Sequence, residues 1–336
     1  MNMATLLTTL ACASLIASCA TAPAQPDWVN GTSSRYPNAQ YLTGRGQAPS
    51  VDDARDRARA DLAKIFEVGI AVTSEDIQTY RVGAQAPGQY EAQATRNIST
   101  RTDQIVRGIQ IAELWQDPVT TTQHALAVLQ RLPAATSLRQ EIESLDSATR
   151  TYLDQARASS DLFVKIGAAS HALDSQLDRQ AYQKSLKIVD VTGRGVEPEW
   201  SSAKLAADLA DLLKRVRVAT RVPAQAPPGF AAIVNGAVAA AGFLIETGDK
   251  PDFVLDADLS LQEPVLQEGW YWQRGTLEVR LTDAASNRVR GSQRWPIKTS
   301  ARDKANSQSR TLDEADKLLK QDLRATIVGF AIAKPQ

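Results

Sequence analysis

Apolar residues recur at helical spacing in the segment after Ser50, with arginine and aspartate on the opposite side. The apolar stripe consists of Val51, Ala54, Ala58, Leu62 and Ile65. Ser50 and Asp53 have the spacing of a capping box, in which the two residues satisfy polar groups of the first helical turn. The pattern therefore predicts an amphipathic helix that begins next to Ser50.

The rest of the N-terminal region favours strands. Strand propensity and turn residues predict strands over residues 41–48, 70–80, 108–115 and 123–130, the last two joined across Asp117-Pro118. Residues 82–90 carry glycine and proline and indicate an exposed loop, whereas 98–106 is polar with β-branched residues. We expect a small α+β domain over residues 28–131.

The middle of the chain has a heptad pattern with polar gaps. Its apolar positions are Leu138, Ile142, Leu145, Tyr152, Ala156, Phe163, Ile166, Leu173 and Leu177. Either one long helix or two helices fit this pattern, the break falling near 158–161 with Ser159 or Ser160 as the cap. We favour a helical hairpin over residues 134–184, because a lone helix would leave its apolar seam exposed. Both an intradomain spacer and a partner-binding coiled coil fit such a hairpin.

The C-terminal region, residues 185–333, alternates strands and helices. We expect strands over 186–191, 216–222, 253–261, 275–282 and 288–297, and helices over 205–213, 230–241 and 312–330. The helix over 205–213 is expected to start at Ser201 or Ser202, and the last three strands to form an antiparallel meander. The order predicts an α/β sandwich with a mixed sheet, which makes the whole chain α+β.

The opening segment is uncharged and mostly apolar, and ends in Ile16-Ala17-Ser18-Cys19, which has the form of a bacterial lipobox. Its apolar stretch is too short for a permanent membrane helix. We expect residues 1–18 to be removed, Cys19 to carry a diacylglycerol, and 19–27 to form a tether. An ordinary secretory leader cut after Ala20-Thr21-Ala22 is the alternative. Because Ala20 rather than aspartate follows Cys19, outer-membrane attachment facing the periplasm is expected.

Composition narrows the function further. The only cysteines are Cys12 and Cys19, so the mature body has no thiol for a disulfide or a nucleophile. The formal net charge is zero, which gives no electrostatic case for nucleic acid. The chain has 336 residues, of which 43% are apolar, and this length and apolar content are sufficient for two or three domains of typical size. No later apolar run indicates a second membrane segment.

No catalytic, cofactor-binding or metal-binding residue is predicted. His124 and His171 have no carboxylate partner at a recognisable spacing, and a structural role fits each better. The Gly44-Arg45-Gly46 and Gly193-Arg194-Gly195 runs lack the context of a phosphate-binding loop and indicate turns. The carboxylates at Asp52-Asp53 and at Glu141 and Glu143 are typical of solvated helix faces.

Trp270, Tyr271 and Trp272, which follow Gly269, form the one unusual aromatic cluster. Two indoles beside a turn could stack on sugar rings or bind a partner protein. Core packing or a clamp at a strand edge is the plainer interpretation.

The N-terminal region contains a set of short motifs in a fixed order: Pro26-Asp27-Trp28, Tyr36-Pro37, Tyr41-Leu42-x-Gly44-x-Gly46, the alanine-rich helix from Ser50, and Trp115 with the strand after it. On these motifs, residues 26–131 resemble the LPP20 family of bacterial lipoproteins. The resemblance implies a place in the cell envelope, in some members with flagellar structures, and it carries over no catalytic residues.

In residues 185–333, Asp252-Phe253-Val254-Leu255 enters a strand after a helix, and a further strand runs from Leu277 to Asp283. With the order of the elements, these features weakly resemble the envelope domain shared by curli-secretion and penicillin-binding-protein-activator lipoproteins, a resemblance that implies fold more than function. We therefore expect a non-enzymatic lipoprotein, anchored in the membrane by its lipid, that acts as a structural or adaptor component through an unidentified envelope protein. Peptidoglycan binding through Trp270–Trp272 is the alternative.

Overall fold

The computed structural model describes residues 24–81, 108–248 and 250–332, which form seven helices and nine strands. Cys19 and the segments expected over 82–90 and 98–106 lie outside these residues. Helices and a mixed sheet are both present, so the predicted α+β class is confirmed. Within the described part of the chain, no helix is long and apolar enough to span a membrane.

The N-terminal part is a three-stranded antiparallel sheet packed on one long helix. Its elements are α1 (Asp27–Asn30), β1 (Tyr41–Ala48), α2 (Val51–Arg81), β2 (Gln110–Gln116) and β3 (Gln123–Gln130). The strands lie in the order β1-β3-β2, which confirms the predicted β2–β3 pair. β3 is buried on both faces, because Trp28 covers Leu126 and Val128 on the side away from α2. The Trp28 indole also donates to the Glu113 carboxylate at 2.6 Å.

Helix α2 starts as predicted and continues further than predicted. The Ser50 hydroxyl accepts from the Asp53 amide at 3.1 Å and donates to the Asp53 carboxylate at 2.7 Å. The strand expected over 70–80 is wrong, because the backbone remains helical to Arg81. β-Branched residues are only a weak argument against a helix that is already formed, since each added residue gains one hydrogen bond.

Gly44 and Gly46 lie within strand β1, so the turn expected there is wrong. A Cβ atom placed at Gly44 would lie 2.5 Å from the Ala58 carbonyl oxygen and 2.6 Å from the Leu62 nitrogen of α2. The two glycines therefore allow the backbones of strand and helix to meet directly.

The middle of the chain forms the predicted helical hairpin, α3 (Arg131–Ala158) and α4 (Leu162–Val189), which pack against each other. Asp161, and neither serine, caps α4: its carboxylate accepts from the amides of Phe163 at 2.8 Å and Val164 at 3.4 Å. The Ser159 hydroxyl instead accepts from the Asp161 amide at 3.1 Å. A carboxylate at this position also favours the positive end of the helix dipole.

The strand expected over 186–191 is wrong, because α4 continues to Val189. Leu186 and Val189, three residues apart, both point into the N-terminal core and are fully buried there. Helical spacing therefore satisfies their burial better than the alternation of a strand. The turn predicted at Gly193 and Gly195 is confirmed, with φ of +65° and +71°.

The C-terminal part packs helices against a mixed sheet. Its elements are α5 (Ser202–Leu213), β4 (Arg217–Arg221), α6 (Phe230–Ala240), β5 (Leu244–Ile245), β6 (Phe253–Leu261), β7 (Val265–Gln267), β8 (Trp270–Asp283), β9 (Val289–Ala301) and α7 (Lys304–Ile332). β4 runs parallel to β5 and β6, whereas β6, β8 and β9 form the predicted antiparallel meander. Ser201 caps α5, as expected. The short strands β5 and β7 were not predicted.

Helix α4 contributes to two separate apolar cores. Near its start, Phe163 and Ile166 belong to the core formed by the C-terminal sheet and its helices. At its end, Leu186 and Val189 belong to the core between the N-terminal sheet and α2. One helix thus joins the N-terminal and C-terminal parts of the protein.

Candidate binding surface on the C-terminal sheet

Strand β8 separates the two faces of the C-terminal sheet. Leu277, Val279 and Leu281 are buried in the apolar core, whereas Glu278 and Arg280, which alternate with them, lie on the opposite face. We call this opposite face the outer face, since its side chains are exposed or half-buried.

The aromatic cluster lies at the beginning of β8. Residues Glu268 and Gly269 form the preceding turn, with φ of +52° and +76°. The alternation of the strand places Trp270 and Trp272 together on the outer face and Tyr271 on the core side. The structure therefore brings the two indoles together and separates the tyrosine from them.

Each indole of the pair carries a cation over its ring. The Arg302 guanidinium carbon lies 4.0 Å from the Trp270 ring centroid, and the Lys298 ammonium lies 4.6 Å from that of Trp272. Such cation–π contacts contribute about 0.5–1 kcal/mol at exposed sites. Arg274 lies directly opposite Lys298 in the β8–β9 pairing. Within residues 24–81, 108–248 and 250–332, none of these three cations forms an ion pair with a carboxylate.

The other end of the outer face is saturated with ion pairs. Glu278 accepts from Arg294 at 2.8 Å and from Arg280 at 3.2 Å, and Arg221 lies 3.5 Å from Asp256. The hydrogen bond from Arg294, followed by its charge and by Arg280, holds the pKa of Glu278 below its usual value. A groove of about 350 Å³ lies among these groups. Both arginines that line the groove, Arg221 and Arg280, are already paired with carboxylates, so among the described residues the groove presents no unpaired arginine to a ligand.

Strand β7 adds exposed apolar side chains beside the indoles. Val265 is 63% exposed and lies opposite Trp272, whereas Leu266 is 58% exposed and lies opposite Tyr271. The β7–β8 hairpin, residues 265–272, therefore presents apolar residues on both of its faces.

The two histidines have packing partners. The ring of His124 lies 5.2 Å from Trp115 across the β2–β3 pair, and that of His171 stacks on Tyr152 at 4.8 Å between α3 and α4. Burial lowers the pKa of His171. The described residues contain no group of three or more histidine, cysteine or acidic side chains able to hold a metal ion.

Arg179 is a buried charged residue that no sequence pattern indicated. It is 2% exposed, and its guanidinium donates to both Asp146 oxygens at 2.8 and 3.0 Å and to the carbonyls of Val196 and Glu197 at 3.2 and 3.1 Å. Gln176 donates to the same Asp146 at 2.9 Å. No spacing signal marks Arg179, because its partners come from α3 and from the segment after α4. This network ties that segment to the helical hairpin.

Comparison with known proteins gives a family match in the N-terminal region. Residues 26–130 match the model of the LPP20 lipoprotein family, which confirms the resemblance in that region. The match covers less than a third of the chain and supports a bacterial envelope lipoprotein. No curated protein matches the chain.

Two solved structures illustrate what the chain is similar to. A secreted protein of Helicobacter pylori is 14% identical with a TM-score of 0.42, over 83% of this chain and 97% of that one. A minor lipoprotein of Acinetobacter baumannii is 13% identical with a TM-score of 0.30, over 37% of this chain and 97% of that one.

Proposed function

We propose that the protein is a non-enzymatic lipoprotein, anchored by a diacylglycerol on Cys19 to the outer membrane and facing the periplasm. It acts as a structural or adaptor component that binds other envelope proteins, either at the flagellum or in envelope assembly. The observation that carries the proposal is that the match to a lipoprotein family begins at residue 26, shortly after the lipobox that ends at Cys19.

The arrangement of the body supports an adaptor. Helix α4 buries side chains in both apolar cores, so the N-terminal and C-terminal parts are joined by an element that resists bending. We divide the body into domains at 28–131, 134–184 and 185–333, with α4 passing from the second into the third.

Substitution of Cys19 tests the anchor. Cys19→Ser removes the thiol that accepts the lipid, so incorporation of a labelled fatty acid should be lost. Cys12→Ser is the matched control, because Cys12 is the only other cysteine of the chain and lies inside the leader. A Cys19→Ser chain that keeps its lipid label would contradict the anchor.

Crosslinking in intact cells tests the adaptor role. A crosslinker applied to cells that make the wild-type protein, followed by mass spectrometry, should recover the same envelope protein in repeated experiments. Recovery of the chain only as an uncrosslinked species, at expression levels where a known envelope complex is captured, would argue against an adaptor.

Peptidoglycan binding is the second candidate, favoured by the two neighbouring indoles on the outer face. A sugar ring stacked on either indole would have to displace Arg302 or Lys298 from the ring faces they cover. Trp270→Ala with Trp272→Ala should then abolish retention on purified peptidoglycan. Retention equal to that of the wild type would remove this candidate.

A further inference from the structure

We propose that the β7–β8 hairpin, residues 265–272, is a second membrane contact that rests on the headgroups of an anionic phospholipid surface. The inference rests on the proposed envelope location of the protein, but not on the identity of any protein partner.

The apolar part of the hairpin fits an interfacial position. Val265 and Leu266 expose more than half of their surface at the end of the sheet, beyond the apolar core. Beside them, Trp270 and Trp272 are half-buried on the outer face. Indoles favour the boundary between headgroups and acyl chains, because the ring is apolar and its N–H group bonds to polar partners. The hairpin thus exposes Val265 beside the indoles and Leu266 on the opposite face, and apolar side chains on both faces suit a segment at that boundary.

The cations around the indoles supply the charge complementarity. Arg274 and Lys298 are direct cross-strand neighbours, and like charges in that position destabilise a sheet. Arg302 covers Trp270 on the same side of the hairpin. None of the three has a carboxylate partner in the described part of the chain, so an anion would relieve their mutual repulsion. Phosphate groups of anionic lipids supply negative charge at the depth where indoles lie.

On the outer face, cations without a carboxylate partner among the described residues are found near the hairpin, whereas the arginines further along the face are paired. Arg221, Arg280 and Arg294, further along the outer face, each pair with a carboxylate. Near the hairpin, Glu263 is paired with Lys304 at 3.0 Å, and Glu268 is exposed in the turn itself. An uncharged sugar chain would use the indoles but would leave the three cations unneutralised, so a ligand that carries anionic groups fits this end of the face better.

Quenching of tryptophan fluorescence by lipids brominated on their acyl chains tests the contact. The full acylated protein is reconstituted into vesicles of phosphatidylglycerol and phosphatidylethanolamine, or of phosphatidylcholine alone. Two of the six tryptophans lie in the hairpin, so quenching in the anionic vesicles should reach at most about a third of the emission. Trp270→Phe with Trp272→Phe should abolish it, and Val265→Ser with Leu266→Ser should reduce it without loss of the fold.

Charge variants separate an anionic surface from apolar adhesion. Lys298→Gln with Arg302→Gln should lower the quenching to its level in phosphatidylcholine, whereas Arg294→Gln, on the same face but ion-paired, should not change it. Equal quenching in both lipids, or none above that of the double phenylalanine variant, would overturn the proposal. Retention of the protein on peptidoglycan that is lost in the same variants, without quenching, would assign the hairpin to a glycan instead. Loss of the lipid label in Cys19→Ser concerns the anchor alone, so the two proposals fail independently.

Discussion

At the scale of single residues, glycines in β1 set the distance between the N-terminal sheet and its helix. Gly44 faces the backbone of α2, where the Ala58 carbonyl leaves no space for a side chain. A motif that resembles a turn in the sequence is therefore a contact surface between two elements. Glycine is favoured both in turns and where two backbones meet closely, because it has no side chain, so the sequence alone does not distinguish the two cases.

Gly44→Ala should destabilise the protein by about 2–3 kcal/mol, since the new methyl group must push α2 away from β1. Urea unfolding measures the loss. Gly236→Ala is the control, because this exposed position in α6 has no atom within 4 Å of the new Cβ. The control should gain up to about 1 kcal/mol from helix propensity. Equal stability of Gly44→Ala and the wild type would show that the strand and helix can separate without cost.

Arg179 should be the most sensitive charged residue of the helical hairpin. Arg179→Ala leaves the Asp146 carboxylate without its main partner and two carbonyls without a donor, so a loss of about 3–5 kcal/mol is expected. Arg157→Ala, which removes an exposed pair with Asp154, should cost less than about 1 kcal/mol. Thermal or urea unfolding of the two variants compares them directly, and similar losses would contradict the argument from burial.

At the scale of elements, one arginine joins the turn of the helical hairpin to the C-terminal sheet. Arg290 on β9 donates to Asp161, the cap of α4, at 3.0 Å and to Asp283 at the end of β8 at 2.6 Å. Burial by itself raises the pKa of Asp283. The hydrogen bonds from the Ser286 amide and the Arg290 guanidinium lower it by more than burial raises it, so the pKa falls to about 2. Three elements therefore meet through one charged cluster.

The depressed pKa of Asp283 predicts a loss of stability in acid. In the unfolded chain the carboxyl titrates near its ordinary value of about 4, so its contribution is complete above that pH and is lost as the pH falls toward about 2. Asp283→Asn should lower the free energy of unfolding at pH 7, on the order of 2 kcal/mol, and flatten its decline between pH 4 and pH 2. Asp154→Asn, at an exposed pair, is the control. An unchanged acid decline in Asp283→Asn would contradict the assignment.

The elements also show where local sequence information is insufficient. Periodicity correctly located α5, α6 and α7 and the meander strands, because each shows one apolar face to one core. Residues 186–189 are rich in strand formers, yet they are helical because Leu186 and Val189 reach a core built mainly from residues more than 40 positions earlier in the chain. Strand propensity reflects a residue and its neighbours in the sequence, so it does not include packing against a core that is distant in the chain.

At the scale of the whole molecule, α4 is the connection between the two cores. The helix passes from the C-terminal core at Leu177 to the N-terminal core at Leu186, with Ala181 buried between them. Because both cores need the same continuous helix, we expect them to unfold together.

Ala181→Pro should uncouple the two cores, since proline removes a hydrogen bond inside α4 and costs about 3 kcal/mol or more. Single-tryptophan variants report on the two parts in urea: Trp28 packs on the N-terminal sheet, on its face away from α2, and Trp295 packs against the C-terminal core. The wild-type background should show one shared midpoint and Ala181→Pro two separate midpoints, with Ala181→Ser as the control that keeps the helix. Two midpoints in the wild-type background would show that the cores are independent.

The amino-acid sequence alone indicated a lipoprotein, because a lipobox, a body without thiols and the motifs that resemble the LPP20 family are local patterns that are recognised without knowledge of any contact. It also determined the α+β class and most element positions, through periodicity. Three features became visible only in the folded protein: Gly44 and Gly46 are packing sites, Arg179 is buried and paired, and two indoles share a face with three cations that have no carboxylate partner among the described residues. These features depend on atoms brought together from distant parts of the chain, and burial and charge act through distance in space rather than along the sequence.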